Sequence, residues 1–283
     1  MNKLIQLALQ EAKTHIGEGC PADYLPTLTS EESSRVGICL ADCSGNTYVC
    51  GDCNSQFSIQ SIVKVVVLAT ALQDNGIEGV QRVVRFEPTG DHFNSLIRHE
   101  DASQRPFNPM INAGTFAVIS TISGNSEARF EKILSLVRQM ADDDSISYDR
   151  RVYQAESFGG DRNRALAYIL RSGMIYKDSV EDILDVHFRT SAILVNCIHL
   201  GRMGALLAND GISPQTGKRI LESEHARLIR TVMATCGLYD GSGEFAVSVG
   251  IPAKSGVSGG IMASVKGKLG IGVYSPSLDA HGN

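Results

Sequence analysis

The sequence predicts an α/β chain of the α+β kind, in which a sheet domain is built from both ends of the chain and a mainly helical domain is inserted between them. Three observations carry that reading. Short β-branched or Gly-punctuated segments cluster near both ends, helical periodicity fills most of 108–210, and 43% of the 283 residues are apolar, enough for a large core. With 26 Lys+Arg against 31 Asp+Glu the net charge is −5, which argues against a nucleic-acid partner. The longest apolar runs, such as Val65 to Ala69, fall far short of the ~20 residues that span a bilayer, so no membrane association is expected.

Taken in order, Leu4, Ile5, Ala8, Leu9 and Ala12 trace one face of an N-terminal helix, and Gln6, Gln10 and Glu11 interrupt any export-signal core. A cytoplasmic location with reduced thiols is therefore expected. Val36 to Ala41 and Thr47 to Cys50 read as two strands around the turn Cys43-Ser44-Gly45-Asn46, a symmetric turn that sets Cys39 opposite Cys50. Cys43 then lies about 13 Å from Cys39 at ~3.3 Å per residue, which speaks against a zinc site despite the CxxC spacing of Cys50 and Cys53. Ile62 to Leu72 is rich in β-branched residues, but the apolar run continues to Asn75-Gly76, and that length favours a fully buried helix carrying Lys64.

Phe130, Ile133, Leu134 and Val137 recur at helical spacing, Asp142 to Asp144 marks a solvated loop, and Asp161 is placed to cap a helix over 162–171. Ser191 to Ala208 reads as another buried helix. Phe245 to Val249, Gly260 to Val265 and Leu269 to Tyr274 read as strands. The division expected is 1–60 with 211–283 as the sheet domain and 61–210 as the helical one.

Ser61-Ile62-Val63-Lys64 has the SxxK form, which sets a hydroxyl and an amine three apart on one helical face. A helix start offers free N–H groups to a developing oxyanion, and burial favours a neutral amine that can accept a proton. The same four residues also fit a capping Ser with a snorkelling Lys, and chemistry alone leaves both readings standing. Gly256-Val257-Ser258-Gly259-Gly260 matches the GxSxG elbow formally, but Ile261 to Val265 reads as a strand where the elbow needs a helix. The better reading is a Gly-rich edge strand on which Lys254 and the N–H of Val257 face Ser61.

SxxK opening a buried helix, with Lys254-Ser255-Gly256 on a late strand, resembles the serine β-lactamases and penicillin-binding proteins. Longer motifs are similar to the serine-dependent glutaminase family: Ala22 to Pro26, Phe57 to Val65, Glu87 to Ser95, Asn108 to Gly114, Glu156-Ser157 with Asp161 to Asn163, Cys236 to Gly243 and Lys254 to Val257. The resemblance implies a β-lactamase-like fold, an antiparallel sheet flanked by helices, with the active site at the junction with the helical insertion. It implies hydrolysis of L-glutamine to L-glutamate and ammonia without a metal or organic cofactor, by a homo-oligomer, dimer or tetramer. Carried over residue by residue, Ser61 is the nucleophile and Lys64 its base, Tyr24 and Tyr239 relay protons, and the N–H groups of Ser61 and Val257 form the oxyanion hole. Asn112, Glu156 and Asn163 hold the substrate's amino-acid end.

One departure from the pattern stands out. His187 occupies a position where the family usually has Tyr, and an imidazole there is expected to titrate near neutral pH against the substrate's α-carboxylate. Competing readings are another SxxK serine hydrolase, β-lactamase or esterase-like, and a non-catalytic amino-acid-binding protein on the same fold.

Overall fold

The computed structural model describes residues 1–22, 32–89 and 105–283. Tyr24 and the 90–95 part of the Glu87 to Ser95 motif lie outside the described residues, as do His92 and His99.

Helix α1 (Asn2–Thr14) is followed by the hairpin β1 (Gly37–Asp42) and β2 (Thr47–Gly51), then the short strand β3 (Phe57–Ser58) and helix α2 (Val63–Gln81). Helices α3 (Asn112–Thr121), α4 (Ser126–Ala141), α5 (Arg150–Phe158), α6 (Asp161–Ser172) and α7 (Val180–Ser191) come next. Strand β4 (Leu194–Val195) pairs with β3, and α8 (Cys197–Ala208), α9 (Ser223–Cys236) and α10 (Ser242–Ser248) precede strands β5 (Ala253–Gly256), β6 (Gly260–Val265) and β7 (Leu269–Tyr274).

The main sheet runs β2-β1-β7-β6-β5, with every neighbouring pair antiparallel. Both ends of the chain therefore supply it, and β5 is left as an edge strand. Alternation along β1 divides its faces: Cys39 packs towards Gly201 of α8, while Ile38 joins Ile5 and Leu9 of α1 in a separate small cluster. Helix α8, which the boundary at residue 210 groups with the helical part, lies across β1, β6 and β7.

α2 runs through the middle of the helical layers against α3, α4 and α9. From Val63 to Leu72 no residue is more than 3% exposed, including Lys64 at 1%. That is the environment the unbroken apolar run demands. The regular helix breaks at Gly76, whose φ of 65° no helix interior accepts, so Asn75-Gly76 acts as a stop before one further short turn.

Four local expectations are corrected. The β1–β2 register pairs Ile38 with Cys50 and Cys39 with Val49, one residue away from the symmetric turn. The cause is the loop: Asp42 N–H bonds the Asn46 carbonyl, its carboxylate accepts from the N–H groups of Ser44 and Asn46, and Gly45 sits at φ 90°. Ser191 to Ala208 is not one helix, because Leu194–Val195 pairs with β3 and Asn196 then caps α8 through the N–H groups of Ile198 and His199. Phe245 to Val249 is the end of α10, closed by Gly250 at φ 73° with its N–H on the Phe245 carbonyl. Asp161 is the first residue within α6, whose cap is Gly160.

α8 packs closely against β7. A Cβ at Gly270 would run into the backbone of Ala205 and Gly201, and neither can yield without moving the helix. Gly270→Ala should therefore destabilise the protein by about 3 kcal/mol, read as a lowered urea midpoint at unchanged slope. A midpoint within error of wild type would show that the seam has slack.

Candidate active site

Ser61 sits in a single 3₁₀ turn, Gln60 to Ile62, that feeds directly into α2. Two pairings fix this turn from below: Ser58 pairs with Leu194 in the β3–β4 ribbon, and the Ile59 N–H bonds the Ile193 carbonyl at 2.7 Å. Gln60 takes φ 47°, a left-handed conformation at a non-glycine residue immediately before the serine. Its buried side chain donates to Ser58 Oγ at 3.2 Å and hydrogen-bonds Glu156. Neither contact nor strain was legible in the sequence, where Gln60 is a polar residue between Ile59 and Ser61.

Three residues on from Ser61, Lys64 Nζ lies 2.9 Å from Ser61 Oγ and donates to Asn112 Oδ1 at 2.7 Å. Asn112 in turn donates through Nδ2 to Asn163 Oδ1 at 2.9 Å. With its oxygen already engaged, Asn163 keeps its amide N–H groups for another partner. Burial pushes Lys64 down to about 7, opposed by the Glu156 carboxylate. Burial likewise raises Glu156 above the usual carboxylate range, with Gln60 and Lys64 pulling it back.

β5 closes the opposite wall. A Cβ at Gly256 would approach the Ile59 carbonyl at 2.9 Å, so only glycine lets the strand lie this close to the serine turn. Ser258 Oγ donates to the Ser58 carbonyl at 2.6 Å, which fixes the β5–β6 turn against β3 and brings Val257 to the cavity wall. Ser258 itself is buried and committed there, so the GxSxG match is a hairpin turn and not a nucleophile elbow.

Lys254 is fully buried, and its Nζ donates to the carbonyls of Gly237 (2.8 Å) and Ser255 (2.7 Å) while lying 4.2 Å from the centre of the Tyr239 ring. Burial and the Lys64 charge hold Lys254 well below the ordinary lysine range. Tyr239 adopts φ 55°, and its buried hydroxyl is near Ser61 and Ser255. Burial pushes the phenol up to about 12, opposed by those two neighbouring hydroxyls.

Ser61, Asn112, Glu156, Asn163, His187 and Val257 all line one cavity of about 270 Å³. Gln60 and Ser191 also line it, residues to which the sequence reading gave no role in the site. Tyr239 stands beside Ser61 at its edge. The expected behaviour of His187 is overturned: burial, and then the Lys64 charge, lower its pKa to about 3, so the ring is neutral throughout the physiological range. Phe116 meets it edge-on with ring centres 5.0 Å apart, and Nδ1 is buried without a partner among the described residues. Among the described residues no group of three or more His, Cys, Asp or Glu is arranged to hold a metal ion. Cys39 and Cys50 point to opposite faces of the hairpin.

The model of the family Glutaminase matches residues 19–283. Over its full length the chain is 45% identical to a glutaminase of Clostridioides difficile strain 630, covering 94% of that protein. It is 43% identical to glutaminase 2 of Clostridium perfringens strain 13, again over its full length and covering 93% of that protein. Among solved structures, a probable glutaminase, ybaS, superposes with a TM-score of 0.93 at 38% identity, with 98% of this chain and 91% of that one covered. A Bacillus glutaminase gives 0.90 at 35% identity, over 97% and 90% of the two chains.

The buried imidazole has a consequence for folding. Its pKa of about 3 in the folded protein lies below the ordinary 6.5 of the unfolded chain, so unfolding below pH 6.5 takes up a proton. The stability linked to a neutral His187 is complete above about 6.5 and is lost progressively towards 3. The unfolding free energy of wild type relative to His187→Gln should fall by up to about 1.4 kcal/mol per pH unit in that window. A difference that stays flat from pH 7 to 4 would mean that the folded protein protonates the ring as readily as the unfolded chain does.

Proposed function

The chain belongs to the glutaminase family and hydrolyses the side-chain amide of L-glutamine to give L-glutamate and ammonia, and we propose that it does so through a Ser61 acyl-enzyme with Lys64 as base. Its fold is the β-lactamase-like one of the bacterial glutaminases it superposes on. The observation that carries the mechanism is the 2.9 Å contact between Ser61 Oγ and the amine of Lys64, a lysine whose burial favours the neutral form near pH 7.

On this reading Lys64 accepts the Ser61 proton as Oγ adds to the side-chain carbonyl carbon of glutamine. The N–H groups of Ser61 and Val257 stabilise the oxyanion, which is where a poor electrophile such as a carboxamide needs help. The proton held on Lys64 then goes to the departing nitrogen, directly or through Tyr239, and ammonia leaves a glutamyl ester on Ser61. Water adds to the ester with Lys64 again as base, and the serine is regenerated. Tyr24 is proposed as a second relay hydroxyl on the resemblance of its motif.

The amino-acid end of the substrate lies in the cavity. Glu156 pairs with the α-ammonium, while the free N–H groups of Asn163 and the neutral ring of His187 serve the α-carboxylate. Asn112 contributes by linking Lys64 to Asn163, so the base and the recognition site share one hydrogen-bonded line. The enzyme is proposed to work in the cytoplasm, as a homodimer or homotetramer, with the active site at the junction of a sheet domain (1–60 and 211–283) and a helical domain (61–210). The chemistry needs no metal or organic cofactor, because base, nucleophile and oxyanion donors are all side chains or backbone groups.

Ser61→Ala should reduce glutamine turnover by several orders of magnitude while leaving the circular dichroism spectrum and Tm unchanged. A variant that keeps more than a tenth of the activity would end the acyl-enzyme reading. Glu156→Gln should weaken free glutamine strongly, yet barely affect glutamine acylated on its α-amino group, since only the former offers an ammonium. Equal losses in kcat/KM on both substrates would assign Glu156 another role.

A further inference from the structure

α7 presents two polar side chains to the cavity one helical turn apart. Ser191, 4% exposed, is the last residue of the helix and lines the cavity, as does His187 four residues before it. A helical serine or threonine ordinarily returns its hydroxyl proton to a carbonyl three or four residues back, and Thr190 does so, with the carbonyls of Val186 at 2.8 Å and His187 at 3.0 Å. Ser191 does not. Its hydroxyl makes no hydrogen bond among the described residues and is left to the cavity it lines. The carbonyls of Phe188 and Thr190 are already taken by the N–H groups of Ala192 and Ile193.

His187 decides which kind of group the pair can take. Its Nδ1 is buried without a partner among the described residues, so Nε2 is the ring nitrogen on the cavity side. A neutral imidazole carries one N–H and one lone pair. A buried N–H with no acceptor is rarer and costlier than a buried lone pair, which places the lone pair at Nδ1 and the proton on Nε2. The cavity therefore receives a donor from this ring.

We propose that Ser191 is a specificity-determining residue: its hydroxyl and the Nε2–H of His187 form a two-donor clamp on one face of α7 for the α-carboxylate of the substrate. The proposal rests on the reading that the amino-acid end of glutamine lies in this cavity with its ammonium on Glu156. Side chains four apart on a helix have Cβ atoms about 5–6 Å apart, a span across which two donors turned inward reach the two oxygens of one carboxylate. A carboxylate only accepts, so both donors are satisfied. An amide in its place brings an N–H to face one of them, and two donors in a site with little water repel. The clamp thus selects glutamine as a free amino acid over glutamine amidated, or extended as a peptide, through its α-carboxyl group.

The experiment compares kcat/KM for glutamine, its α-amide and N-acetylglutamine in wild type, Ser191→Ala, Ser191→Cys and His187→Phe. The preference for glutamine over its α-amide should fall about tenfold in each variant, the effect of one hydrogen bond to a charged group. Cysteine belongs with alanine here, because it fills the serine's space with a poor donor. The preference for glutamine over N-acetylglutamine should stay within about threefold of wild type, since the ammonium is held by Glu156. A packing defect lowers Tm, or kcat on all three substrates together, and leaves both ratios alone. In wild type, the ring-nitrogen NMR shifts of His187 should report the proton on Nε2. An unmoved α-amide preference in Ser191→Ala or His187→Phe, a Ser191→Cys variant that matches wild type, a fall in the N-acetyl preference instead, or a proton on Nδ1 would each overturn the proposal. Glu156→Gln run alongside separates the two readings: if it keeps the full preference for glutamine over N-acetylglutamine, the placement of the substrate fails, whereas loss of that preference beside an unmoved α-amide ratio removes only the clamp.

Discussion

A lysine amine held in the middle of an apolar helix is the constraint on which the other features of the site depend. Lys64 is carried inward because α2 is apolar on every side from Val63 to Leu72. An amine without partners there costs several kcal/mol, so the surrounding elements are arranged to supply them. Ser61 comes from the turn before the helix and Asn112 from the first residue of α3; Asn163 of α6 satisfies Asn112 in turn. Helices of different layers thus converge on one nitrogen, and the cavity is the space that remains between them.

The second constraint is backbone proximity. β5 approaches the serine turn closely enough to offer Val257 only because Gly256 lacks a side chain, and β7 meets α8 closely for the same reason at Gly270. Two of the five non-glycine residues at positive φ among the described residues flank the site. Gln60 and Tyr239, at φ 47° and 55°, each hold a conformation that costs on the order of 1 kcal/mol or more outside glycine. Each is held in place by neighbours: Gln60 by Ser58 and Glu156, and the Tyr239 turn by Lys254 and by Ser242, whose Oγ donates to the Tyr239 carbonyl at 2.8 Å. Such strain is tolerated where the surrounding fold is rigid, and here that rigidity comes from the sheet and the β3–β4 ribbon.

Electrostatically the cavity favours zwitterions. Lys64 and His187 are both shifted towards their neutral forms by burial, while Glu156 faces them from α5. A ligand that brings both an ammonium and a carboxylate satisfies Glu156 and the amide donors together. Glutamine is such a ligand, and on the proposed reading its reacting amide is the end that lies near Ser61.

The sequence by itself determined the elements whose signal is local. The apolar run of α2, the 3.6-residue spacing of α4 and the strands at 260–265 and 269–274 were all readable, because each depends on its own side chains. The motifs also named Ser61, Asn112, Glu156, Asn163, His187 and Val257, which do share one cavity. Only the tertiary structure decided what depends on neighbours distant in sequence. Leu194–Val195 became a strand because Phe57–Ser58 lay beside it, and 245–249 became helical as part of α10, stopped by Gly250. The hairpin slipped by one residue because the Asp42 side chain reshaped its loop. The charge state of His187 was undecidable from spacing, since burial lowers an imidazole's pKa and a nearby carboxylate would raise it, and only the folded chain, which packs the ring against Phe116, shows that burial prevails. Asn283 is an ordinary polar residue in the sequence, and its contacts with Ser255 and the Leu238 carbonyl exist only once the fold brings 238, 255 and 283 together.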